Sequence, residues 1–136
     1  GFAVVACDDR PGTLTPEWVP GVYDRRLVDY KNLSKQCPIG PRDLVVVATA
    51  GHKSDIDVVI QAMRAKPAYL GCLGSRRKTA FVRARLEQEG FTQDQIDGLH
   101  LPIGVAIEAE DPEEIAISIA AEMIHLRRTK LVPRKR

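Results

Sequence analysis

The segment Gly74-Ser75-Arg76-Arg77-Lys78, directly after the apolar run Tyr69-Leu70-Gly71-Cys72-Leu73, joins residue types that together bind anions. Gly74 lets the backbone bend and approach a ligand closely, Ser75 is suited to cap a helix, and the first-turn amides behind it have no intrahelical acceptor. Arg76, Arg77 and Lys78 add positive charge where the helix dipole already favours an anion, and an arginine fork matches the paired oxygens of a phosphate. Basic residues in a first turn also occur simply as a solvated face. The place of this turn, at the end of an apolar strand, favours a phosphate-bearing ligand, because open α/β sheets bind ligands beyond the carboxyl ends of their strands. Two other expected strand ends carry polar groups, Asp8-Asp9 after one and His52 after another. His52 fits two roles, orienting a ligand or satisfying its own loop. Asp55 reads as a helix cap, Glu122 as a paired carboxylate on the apolar side of its helix, and His100 and His125 as structural.

The elements that must position these groups alternate between strand and helix. Phe2-Ala3-Val4-Val5-Ala6-Cys7 is a continuous apolar run ending at Asp8-Asp9-Arg10-Pro11-Gly12, the pattern of a strand buried on both faces. Residues 13–21, with Pro16 and Pro20, form an irregular crossing, Arg25 to Val28 a short edge strand, and Lys31 to Gln36 a weak helix. Asp43 to Thr49 is the strongest strand pattern in the chain. Ser54 then heads a helix with Ile56, Val59, Ile60 and Met63 at helical spacing, stopped by Pro67. After the basic turn, a helix carrying Phe81, Val82 and Leu86 ends at Gly90, and a shorter one follows Thr92, with Gln95 placed for a capping box. Leu101 to Val105 is a short strand or extended loop, and the last helix opens on Asp111 with Pro112 at its first position. The fold class is α/β, a Rossmann-like parallel sheet with helices on both faces, lacking the first strand and its Gly-x-Gly-x-x-Gly turn.

Composition narrows the function. The 136 residues suit one domain, expected as a partial Rossmann-like domain over 1–128 and a disordered basic tail over 129–136. Six of the 20 basic residues lie between Arg127 and Arg136, which leaves 14 against 18 acidic residues elsewhere and an acidic body. That balance, with only seven aromatic residues, argues against nucleic acid as a partner. No apolar run reaches the roughly 18 residues of a membrane span, and the amino end is no secretory signal, so a soluble cytoplasmic protein without a membrane partner is expected. Cys7, Cys37 and Cys72 are odd in number and lack Cys-x-x-Cys spacing, against a disulfide framework or a zinc site. No triad, metal cluster or nucleophile elbow proposes a reaction, so a non-catalytic binder is expected rather than an enzyme.

In order along the chain, Asp8-Asp9-Arg10, Val45 to Thr49 with His52-Lys53 and Asp55, Tyr69-Leu70-Gly71 with Gly74 to Lys78, Pro102-Ile103-Gly104, and Pro112-Glu113-Glu114-Ile115-Ala116 resemble the XdhC/CoxI family, maturation factors of molybdenum hydroxylases such as xanthine dehydrogenase. The resemblance implies a carrier that binds the pyranopterin molybdenum cofactor, assists its sulfuration and passes it to an apo-hydroxylase. Carried onto these residues, Gly74, Ser75, Arg76, Arg77 and Lys78 would hold the cofactor phosphate. Asp8 or Asp9 would accept from pterin N–H groups or a ribose. The alternative from fold alone is an NAD(P)-binding oxidoreductase or sensor in which Asp8 and Asp9 grip the adenine ribose. Glu108 stands where the family pattern favours glycine, and its carboxylate would repel a phosphate or pair with Arg76 or Arg77. In a sheet ordered 3-2-1-4-5 the strand without a counterpart here is the central one, so a fragment, a homo-oligomer or a second chain supplying that pairing is expected.

Overall fold

The computed structural model describes residues 1–132. β1 (Val5–Asp8) pairs in parallel with β2 (Asp24–Leu27), Val5 opposite Asp24, and β3 (Leu44–Val47) pairs in parallel with β4 (Tyr69–Cys72), Leu44 opposite Tyr69. These are two separate two-stranded ribbons, with no strand joining β1 to β3 among the described residues. The expected parallel pairing is therefore present in two halves.

Side-chain alternation on β3 and β4 shows why helices lie on both faces. Val45, Val47, Leu70 and Cys72 point to one face and join Val59, Val82, Leu86 and Ile96 in the main core. Tyr69 points to the other and packs with Ile103, Leu126, Ile119 and Met123. The first face is covered by α2 (His52–Ala65) and α3 (Arg76–Gln88), the second by α5 (Pro112–Leu126). Gly71 is required in this layer, because a Cβ there would lie 2.5 Å from Ile103 and 2.7 Å from the Tyr69 hydroxyl.

Local chemistry sets most element ends as the residues predict. Thr92 and Gln95 form a capping box on α4 (Gln93–Asp97), and Asp111 and Glu114 form one on α5. The weak helix resolves into a 3-10 turn, Tyr30–Asn32, and a single α-turn, α1 (Leu33–Gln36). One start differs from expectation: α2 begins at His52 with Gly51 as its extended N-cap, not at Ser54. Leu101 to Val105 takes the second of its two expected forms, an extended loop, joined to β4 where His100 lies beside Gly71 and where the Ile103 amide donates to the Cys72 carbonyl at 3.1 Å. The chain after α5 continues as a π-helical turn, Arg127–Leu131, so the basic tail is wound at least that far; residues 133–136 lie outside the described residues. No helix is long and apolar enough to cross a membrane among the described residues.

Candidate functional site

β4 delivers the basic turn. The Leu73 amide donates to the Val47 carbonyl at 2.9 Å, carrying the ladder one residue past the strand before Gly74 turns the chain. A Cβ on Gly74 would meet the Lys78 Cδ at 2.6 Å, so glycine makes room for the lysine stem folding beneath it. Ser75 caps α3, its Oγ accepting from the Lys78 amide at 3.3 Å. The Arg76 and Arg77 amides then have no acceptor within the helix, and both side chains are exposed.

Lys78 departs from the role expected of it. Its ammonium points inward, donates to the Leu73 carbonyl, and pairs with the Asp55 carboxylate, whose side chain is 1% exposed. Asp55 also accepts from the Thr49 amide at 2.9 Å and the Thr49 hydroxyl at 2.6 Å. Asp55 is thus not the cap of its own helix: with Lys78 it ties the ends of β3 and β4 to the first turns of α2 and α3. A buried pair with this many additional hydrogen bonds is the kind that holds a geometry, since loss of either partner leaves an unpaired charge.

That pair brings two helix N-termini together. α2 has no side-chain cap, so its first amides are open as well. Between the helices lies an open cleft of about 280 Å³ lined by His52, Ser75, Arg77, Lys78 and Phe81. The structure therefore unites His52 with the basic turn. It does not place Asp8 or Asp9 in that cleft's lining. Asp8 accepts from Arg10, at 3.0 Å from both Nε and Nη2 and 2.9 Å from the backbone amide, and the guanidinium holds its carboxyl below the usual aspartate value. Asp9 is exposed.

On the other side of the turn, Leu73 and Gly74 border a second cleft, of about 220 Å³, with Ile103, Val105, Ile107 and Glu108 in its wall. Glu108 adopts a left-handed backbone, φ +57°, a conformation that glycine takes more readily. Among the described residues it forms no ion pair with Arg76 or Arg77. The wall is pinned to α5: the Ser118 hydroxyl donates to the Val105 carbonyl at 2.7 Å, and the Gly104 amide donates to Glu122 Oε1 at 3.2 Å.

Glu122 is a paired carboxylate, as its position predicts. It also accepts from the Tyr69 hydroxyl at 2.6 Å and lies 3.1 Å from His100 Nδ1, and the His100 ring stacks on Tyr69 at 4.6 Å. Burial, then the bond to Glu122, pushes the Tyr69 phenol well above its usual range. His100 thus has partners that its sequence neighbours do not reveal. The signal that pointed to them was Glu122 itself, a carboxylate on an apolar helix face. Burial, with Asp55 nearby, raises the Cys72 thiol to about 11, and burial beside Cys37 raises Cys7 to about 12, so both stay protonated packing groups at neutral pH.

A family model described as the XdhC Rossmann domain matches residues 1–123. The uncharacterized protein YqeB of Escherichia coli K12 is 30% identical over 128 residues, covering 93% of this chain and 23% of that protein. A probable xanthine dehydrogenase subunit of Bacillus subtilis 168 is 28% identical over 128 residues, covering 94% of this chain and 37% of its own length. The molybdenum cofactor insertion chaperone PaoD of Escherichia coli K12 is 28% identical over 105 residues, 77% of this chain and 33% of PaoD. The crystal structure of a xanthine dehydrogenase from Bacillus halodurans superposes with a TM-score of 0.82 at 30% identity, over 97% of this chain and 37% of that one. The chain thus spans between 23% and 37% of the length of these relatives.

Proposed function

The chain belongs to the XdhC Rossmann-domain family, and from that premise we propose that it is the cofactor-holding domain of a molybdenum hydroxylase maturation factor. In this reading it binds the pyranopterin molybdenum cofactor as cargo, holds it while its terminal sulfur ligand is installed, and presents it to an apo-hydroxylase. The names of two relatives, an insertion chaperone and a probable xanthine dehydrogenase component, support the coarse role.

The observation that carries the site is the cleft where the α2 and α3 N-termini meet beside Arg77 and His52. Its donors fit a phosphate monoester: open first-turn amides from two helices and the exposed Arg77 guanidinium, with no carboxylate among the described residues of the lining; Arg76 is exposed in the same helical turn but is not part of that lining. Lys78 contributes by position, holding Asp55 and the two helix starts in place, while the arginines contact the anion. Asp8, tied to Arg10, and Asp9 contact the ligand only where it extends past this cleft. The cofactor supplies its own redox chemistry once it is in the hydroxylase; this domain's residues bind, orient and shield it.

An anaerobic equilibrium titration of purified molybdenum cofactor into the chain and into Arg76→Ala/Arg77→Ala tests the reading, with NAD and NADP alongside. Losing two charge-assisted contacts is expected to weaken cofactor binding at least about tenfold. Equal affinity in both proteins, or binding of NAD(P) in place of the cofactor, overturns it.

A further inference from the structure

The second cleft lies against the same turn: Gly74 borders one cleft and Ser75 the other. A ligand with its phosphate over the first turn of α3 therefore has a second, chemically different surface next to it. Among the described residues lining that surface only Glu108 is charged, and its neighbours Ile103, Val105, Ile107 and Ile115 are apolar. An apolar lining with one carboxylate suits a planar heterocycle whose faces meet the isoleucines and whose donor edge meets the carboxylate.

We propose that Glu108 reads the amino-bearing edge of the ligand's heterocycle, accepting from the ring N–H and the exocyclic amine of a 2-amino-4-oxopteridine. This rests on the cofactor-binding reading and adds to it the residue that would select the pterin. An ionised carboxylate is acceptor-only, with two oxygens, and two adjacent donors of that edge match it as a bidentate pair. The supporting geometry is built in. Val105 is fixed to Ser118 through both its carbonyl and its amide, at 2.7 and 3.3 Å, and Gly104 is fixed to Glu122, so the loop leaves α5 in a set direction. Glu108 then holds a backbone that glycine would adopt more readily, and non-glycine residues kept in that conformation concentrate at binding sites.

The probes are free pterin, lumazine and inorganic phosphate. Lumazine carries an oxo group in place of the 2-amine and lacks the paired donor edge. Fluorescence titration of the intact chain is expected to show pterin bound at least about tenfold more tightly than lumazine, with the preference lost in both Glu108→Gln and Glu108→Gly. Phosphate binding should be unchanged in Glu108→Gln, and circular dichroism of each variant should match the parent. Equal binding of pterin and lumazine, no pterin binding, or a preference that survives Glu108→Gln overturns the proposal. If that preference is absent while Arg76→Ala/Arg77→Ala still loses cofactor, only this inference falls. If Glu108 selects pterin while the arginine variant keeps full cofactor affinity, the phosphate reading falls instead.

Discussion

At the scale of single residues, Lys78 and Asp55 carry more of the site's geometry than its chemistry. Lys78→Met leaves the Asp55 carboxylate, 1% exposed, without its cation, and unfolding in urea is expected to show a loss of about 3–5 kcal/mol. Replacing both with apolar residues should recover most of that loss, and a double variant as unstable as the single one would contradict the assignment. Glu108→Gly is expected to do the opposite: it removes a left-handed non-glycine backbone, and after the added freedom of the unfolded chain a gain of about 0.5 kcal/mol remains. No gain in the same urea experiment would mean that the surrounding loop already absorbs the strain. Ser75, Arg76 and Arg77 were legible in the sequence because an N-cap and a first turn are local chemistry. The inward turn of Lys78 was not, because its partner lies 23 residues upstream in another helix.

At the scale of elements, capping boxes and apolar periodicity foretold α3, α4 and α5 closely, since those signals sit within a few residues of what they control. What joins the elements was less visible. α5 is held to β4 and to the 100–104 loop by one carboxylate, with Glu122 accepting from Tyr69 and Gly104 and lying beside His100. Glu122→Ala should leave the buried Tyr69 hydroxyl without its acceptor and cost about 1–3 kcal/mol in chemical denaturation, whereas Glu122→Gln, which keeps an acceptor oxygen, should cost less. Equal losses for the two would mean that packing of the stem, rather than the hydrogen bonds, is what matters. The cap of α2 lies three residues before Ser54, which has the chemistry of a cap, because Gly51 is the residue in extended geometry before the first turn.

At the scale of the whole molecule, the two ribbons are the central architectural fact. The parallel pairing and the helices on both faces follow from the order of apolar runs; that the sheet divides in two depends on pairing partners, which no single run encodes. The edge of β1 away from β2 and that of β3 away from β4 carry no strand among the described residues, and Val5 and Val46 stay 38% and 42% exposed beside them. Such edges pair with another strand when one is offered. Sedimentation of the chain over a range of concentrations is expected to show self-association, or binding of a second chain that supplies the strand. A well-folded monomer at every concentration would contradict that expectation.

The place of the cofactor phosphate decides whether the α2 and α3 N-termini form the binding site. Mapping amide shifts by two-dimensional NMR during titration with the molybdenum cofactor addresses this directly. The largest shifts are expected at Ser75, Arg76, Arg77 and His52, with a second group at Ile107 and Glu108. Shifts confined to Asp8, Asp9 and the 10–13 turn, with the α3 amides unmoved, would contradict it.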